Sequence, residues 1–152
     1  MIEYNGYTLK TATLNMLIKL IEDALKNSKP LRDNVGLAIT NGDVFEIDLV
    51  ETNYPHAHIS IENTVYQPNE LVYNFKVYVM DLVNKDENNE NDVLSDTLQI
   101  IGDTISYLRY DGDAQFDVEY DYRISENVNC VPFTERFDNE LSGFVADIRI
   151  ST

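Results

Sequence analysis

Hydrophobic positions follow two different periods along the chain. Leu14, Leu17, Ile18, Ile21 and Leu25 recur at i, i+3, i+4, i+7 and i+11, which is one stripe of an amphipathic helix. The spacing predicts a helix over about residues 11–27, capped by Thr11 or Thr13 and ended by Asn27-Ser28-Lys29-Pro30. Leu94, Leu98, Ile101, Ile105 and Leu108 predict a second helix over about 92–109. Asn91 or Asp92 is its natural cap, and the acids of its first turn suit the helix dipole. After Asp111-Gly112-Asp113 the period becomes two: Phe116, Val118, Tyr120, Tyr122 and Ile124 alternate with Gln115, Asp117, Glu119, Asp121 and Arg123. That is the pattern of a half-buried antiparallel strand. Phe144, Ala146, Ile148 and Ile150 repeat it at the end of the chain.

Strand signals fill the region between the helices. Val35 to Thr40 and Asp43 to Val50 flank Asn41-Gly42, a pair that favours a type I′ hairpin turn. Residues 56–63 predict a third strand, before a break at Gln67-Pro68-Asn69. Residues 71–82 predict a longer one with apolar side chains on both faces. Asn127 to Gly143 reads as a loop that carries Phe133 and Phe137. Those two rings either anchor a partner or turn back into the domain's own core. The resulting order is α-β-β-β-β-α-β-β. Strands run together instead of alternating with helices, so the expected class is α+β: a largely antiparallel sheet with two helices packed on one face. At 152 residues, a single domain spanning 1–152 is expected.

Charge narrows the range of partners. The chain has 27 acidic and 11 basic side chains, formally −16, and no two basic residues are adjacent. Affinity for a nucleic-acid backbone comes mainly from Lys and Arg displacing counterions, so direct binding to DNA, RNA or an anionic membrane is disfavoured. An acidic surface can still work beside DNA, because like charge keeps a polyanion from sticking. The single cysteine, Cys130, allows no intrachain disulfide and suits a reducing compartment. No apolar run reaches the ~20 residues of a membrane span, and the N-terminus does not read as a signal peptide.

Candidate chemistry is sparse. His56-Ala57-His58 would put two imidazoles on one strand face, but a zinc site needs further ligands, so an exposed polar face after Pro55 is the expectation. Asp86, Asn88, Glu90 and Asp92 have the spacing of a calcium loop. However, Asn91 and Thr97 stand where the loop needs its glycine and bidentate glutamate, so a solvated acidic loop over 84–92 is expected. Asp111 and Asp113 solvate the turn that Gly112 makes. Cys130 has no basic or histidine neighbour, and no phosphate-cradling glycine loop occurs. We therefore expect no catalytic residue, no cofactor and no metal.

Three stretches carry a likeness to known proteins. Phe75-Lys76-Val77-Tyr78-Val79-Met80-Asp81-Leu82-Val83 with Asp92-Val93-Leu94-Ser95-Asp96-Thr97-Leu98-Gln99-Ile100 resembles the small neck and tail-joining proteins of tailed bacteriophages. So does Val131-Pro132-Phe133-Thr134-Glu135-Arg136-Phe137-Asp138-Asn139-Glu140-Leu141-Ser142-Gly143-Phe144-Val145-Ala146-Asp147-Ile148. The likeness is to ring-forming neck proteins of crAss-like and related podoviruses, and the element order is similar to that of tail-terminator and tail-completion proteins. It covers about residues 70–152 in wording and contains no catalytic signature. It implies a virion subunit, assembled in the host cytoplasm, in a ring of six or twelve copies between portal and tail, contacting neighbouring neck, portal and tail proteins, with DNA passing through the lumen. A ring needs two distinct contact surfaces. Loop composition points to Glu51 to Pro55 and Pro132 to Leu141, with Tyr54, Pro55, Phe133, Arg136 and Phe137 as candidate interface residues.

Two other classes stay open. An acidic DNA mimic or inhibitor would occupy a basic site on another protein, with Asp117, Glu119 and Asp121 along one strand face and steep salt dependence. A small enzyme or ligand-binding domain would show a preformed pocket with converging polar groups.

Overall fold

The computed structural model describes residues 2–4, 7–9, 13–27, 38–42, 55–83, 90–111, 122–136 and 141–152. A short antiparallel ribbon of β1 (Ile2–Tyr4) and β2 (Tyr7–Leu9) comes first, with Tyr4 facing Tyr7 across the two-residue connection. Helix α1 (Leu14–Lys26) follows. The Thr13 side chain accepts a hydrogen bond from the Met16 amide at 3.3 Å, as expected of one of the two candidate caps. The stripe turns Leu17, Leu20, Ile21, Ala24 and Leu25 fully inward, with Leu14 and Ile18 at its margin.

The main sheet has six strands in the order β3 (Ala38–Asn41), β4 (His56–Gln67), β5 (Glu70–Leu82), β8 (Leu141–Ser151) and then β6 (Arg123–Ile124), with β7 (Asn129–Arg136) also paired to β8. The class is α+β, as expected, but the sheet is mixed. The β4–β5, β5–β8, β6–β8 and β7–β8 ladders are antiparallel, whereas β3 runs parallel to β4. This corrects the expectation at Asn41-Gly42. A type I′ turn needs positive φ at both central residues, and only Gly42 has it, at 121°. Asn41 instead stays in β3 opposite Ile59, and the Gly42 amide donates to the Ile59 carbonyl at 3.0 Å. The expected second arm, 43–50, lies outside the described residues, as do the acidic run 84–89 and the alternating stretch 115–121.

Between β4 and β5 the chain turns in two residues. Gln67 faces Glu70, and Pro68 precedes Asn69, whose φ of 67° gives the order of a type II turn. Strand β7 is the larger correction. Residues 129–136 lie within the expected 127–143 loop, yet they pair with β8 from Asn129 opposite Asp147 to Arg136 opposite Leu141. On the other side of β8, Gly143 allows the close approach of β5, because a Cβ there would run into the Val79 carbonyl and the Met80 backbone.

Helix α2 (Glu90–Ser106) continues into a π-helical turn, Tyr107–Asp111. Glu90 and Asp92 occupy its first turn, where the dipole favours them, so Asn91 and Asp92 are helical residues and not caps. Its buried face is Val93, Thr97, Ile100, Ile101 and Thr104, turned about one position from the expected leucine stripe. The reason is hydrogen bonding. Thr97 and Thr104 donate their hydroxyls back to the Val93 and Ile100 carbonyls, each at 2.8 Å, which removes the cost of burying them. Leu98 is left 42% exposed.

Both helices cover the same sheet face. The main core joins Leu17, Ile21 and Leu25 of α1, Ile100 and Ile101 of α2, and Ala57, Ile59, Phe75, Val77, Val79, Ala146, Ile148 and Ile150 of the sheet. Tyr122 ties the strands after α2 to its end through a 2.5 Å hydrogen bond to the Leu108 carbonyl. A second, smaller cluster of Met80, Phe133 and Leu141 lies on the opposite face.

Candidate interaction site

The sheet's second face carries the polar residues of interest. His56 and His58 alternate with the core residues Ala57 and Ile59, so both rings leave the helix-covered face, as the i, i+2 spacing requires. The expected exposed setting is wrong, however, because each is only 1% exposed. The parallel register brings Thr40 of β3 beside them. Its Oγ1 lies 2.8 Å from His56 Nε2 and 2.6 Å from His58 Nδ1. His58 Nε2 also lies 3.1 Å from the Gly42 carbonyl, which can only accept.

These partners select one arrangement of protons for two neutral rings. His58 carries hydrogen on Nε2 and donates to Gly42, which leaves its Nδ1 to accept from the Thr40 hydroxyl. The Thr40 oxygen in turn accepts from His56 Nε2. Burial, reinforced by the neighbouring His58, lowers the His56 pKa to about 4, so the neutral form holds near neutrality. The pair therefore serves structure: it fastens β3 to β4. No cluster of three or more metal-ligating side chains occurs among the described residues.

Cys130 sits in β7, where burial and the Asp147 carboxylate raise its thiol pKa. A raised pKa keeps it protonated and a poor nucleophile. Asp81 is also raised, by burial first, with its carboxylate held by the Leu82 amide at 2.8 Å and repelled by Asp96.

A half-open depression of about 200 Å³ lies on the second face, lined by Lys76, Tyr78, Val131, Pro132, Phe133, Val145 and Asp147. Lys76 bridges Glu62 at 3.8 Å and Asp147 at 3.9 Å, closing one side of it with charge. The hollow is smaller than the ~300–1,000 Å³ of ordinary small-molecule sites and suits a single side chain.

The expected interface residues are scattered. Pro55 is buried at the start of β4. Phe133 is 5% exposed and packs with Met80 and Leu141 in the chain's own second core. Arg136 ends β7 opposite Leu141. Tyr54 and Phe137 lie outside the described residues, as do Asp117, Glu119 and Asp121.

Exposed apolar surface appears instead at a place that loop composition did not indicate. β3 pairs with β4 only from His56 to Ile59, so among the described residues nothing pairs with the outer edge of β4 from Ser60 to Gln67. Residues 61–69 are all exposed, including Ile61 at 37%, Val65 at 39% and Tyr66 at 79%. The outer half of β4 and the turn after it thus hold apolar side chains in water, while Val72 and Tyr73 across the ladder in β5 are buried. Ile61, Val65 and Tyr66 along a β-prone stretch were readable in the sequence, but such residues signal burial as readily as contact.

No helix among the described residues is long and apolar enough to cross a membrane. Comparison of the chain with protein-family models finds no match, and comparison with curated proteins finds none either.

Proposed function

We propose that the protein is a non-enzymatic structural subunit that works by assembling: a ring component of a tailed-phage neck or tail, joining portal to tail around the DNA channel. The observation that carries the assembly reading is the outer half of β4, which holds Ile61, Val65 and Tyr66 in water beside a strand edge that no other described residue pairs with. Solitary soluble domains blunt such edges, so one left open is best explained by a partner. The finer reading, a ring at the phage neck, is supported by the likeness of residues 70–152 to neck and tail-joining proteins. The formal charge of −16 also supports it, since an acidic lumen repels passing DNA.

Electron microscopy of the purified protein, alone and mixed with the portal and tail proteins of its own virion, tests this directly. Closed rings with a lumen wide enough for duplex DNA are expected. Failure to form rings in any of these mixtures would overturn it.

A further inference from the structure

The two long edges of the sheet differ in a way that selects a partner. On the β7 side, the Ser125 amide bonds to the Arg149 carbonyl, which shows that Arg149 points its backbone groups away from β5. Stepping by two, Asp147, Val145 and Gly143 bond toward β7, and Phe144 bonds toward β5. Pro132, opposite Phe144, therefore stands where its N–H would face outward, and proline has none. That edge is closed to strand addition in the manner usual for edge strands.

Among the described residues the β4 edge has no proline of this kind, and its bulge, between Ile61 and Asn63, lies before the Thr64–Tyr66 stretch. Leu71 exchanges hydrogen bonds with Thr152 at 3.1 and 2.9 Å, so its backbone groups point away from β4. Tyr66, opposite Leu71, then points its own N–H and C=O outward, and so does Thr64 opposite Tyr73. From Ser60 to Gln67 the segment contains no proline and no lysine, and Glu62 is its one charge.

We infer that this edge pairs with the same edge of a second copy, antiparallel about a two-fold axis through Val65. In that register Thr64 of each copy exchanges both backbone hydrogen bonds with Tyr66 of the other. Val65 meets Val65 in the close, non-hydrogen-bonded position, and Asn63 faces Gln67. Glu62 falls opposite the turn at Pro68, so no charge opposes a like charge. The segment is thus its own complement in hydrogen bonding, in apolar contact and in charge. The contact is isologous, so it cannot close a ring by itself. It goes beyond the ring reading, although both start from the same open edge of β4. In an assembly it would join two copies back to back.

The test is cross-linking of single-cysteine additions in the full chain. In Val65→Cys the two new thiols lie across the axis with Cα atoms about 4.5 Å apart, within reach of a disulfide. In Asn63→Cys they are offset by four residues along the strands and out of reach. Under mild oxidation Val65→Cys should form a covalent dimer about tenfold faster than Asn63→Cys, and the unmodified chain with Cys130 alone should form none. Adding Thr64→Pro, which removes an outward N–H just as Pro132 does on the other edge, should abolish the Val65→Cys dimer while melting stays cooperative. Both copies carry the same charge, so cross-linking should speed up as salt is raised, whereas capture of a basic partner would weaken. Equal rates for Val65→Cys and Asn63→Cys, or no dimer from Val65→Cys, would overturn the pairing. So would a dimer that Thr64→Pro leaves intact. If the purified protein is a plain dimer that Thr64→Pro dissolves, the edge contact holds and the ring reading fails, which keeps the two separable.

Discussion

Strand β4 contains two halves that invert one another. His56 to Ile59 is buried to 1% exposure or less, although two of its four residues are histidines. Residues 61–67 are exposed throughout, although Ile61, Val65 and Tyr66 are among the more apolar side chains of the strand. A binary pattern would place them the other way round. What decides is the neighbour on the outer side. β3 pairs with the first half and supplies Thr40, whose hydroxyl bonds to one nitrogen of each imidazole. Nothing among the described residues pairs with the second half. The buried histidines are explained by a partner inside the chain, whereas the exposed apolar half has none among the described residues.

The contrast can be broken at several points. The largest effect should come from matched isoleucines. Ile59→Ala should cost about 2–5 kcal/mol through the transfer and cavity terms, whereas Ile61→Ala should cost under about 0.5 kcal/mol. Chemical denaturation midpoints would show it, and equal losses would mean that the halves are not different environments. Acid should act on the buried half next. The His56 pKa is lowered from 6.5 to about 4 on folding, so the unfolded chain binds more protons between those values. Stability attributable to this ring is complete above pH 6.5 and falls as pH drops toward 4, by up to about 3 kcal/mol. The raised pKa of Asp81 works in the opposite sense, favouring the folded state as that carboxyl protonates. Denaturation midpoints followed from pH 7 to pH 4 should decline in wild type and decline less in His56→Phe.

Removing the shared hydroxyl is a smaller perturbation. Thr40→Val should cost about 1–3 kcal/mol because two buried nitrogens lose their common partner, and Thr40→Ser should recover most of it. If valine proves neutral, the threonine is filling space and not bridging. The smallest effect belongs to the exposed charges. Lys76→Met breaks contacts of 3.8 and 3.9 Å to Glu62 and Asp147, and should change stability by no more than about 1 kcal/mol.

These regions also show which parts of the fold local sequence can express. α1 was legible because its stripe and its Thr13 cap are both local, and the β4–β5 turn was legible from Pro68-Asn69. The Asn5-Gly6 pair between Tyr4 and Tyr7 was an equally good hairpin signal for the short ribbon that went unread. The same dipeptide misled at 41–42, where the partner of β3 is a strand fifteen residues downstream and parallel to it. β7 was hidden by Pro132, which reads as a strand breaker unless one knows that its nitrogen faces an edge. α2 showed its existence but not its buried face, because Thr97 and Thr104 hide their hydroxyls in their own helix. The histidines followed the same logic: spacing gave their shared face, but their burial depends on Thr40, which pattern alone could not bring to them. Of the candidate interface residues, Phe133 turned into the chain's own core, one of the two outcomes its loop allowed.

The mass of the purified protein in solution, by light scattering behind size exclusion at low and moderate salt, tests the assembly reading most directly. A whole multiple of six protomers is the predicted result and would give the ring its symmetry. A strict monomer at every concentration and salt, with the portal and tail proteins of the virion present as well as without them, would contradict the claim that the chain works by associating with copies of itself.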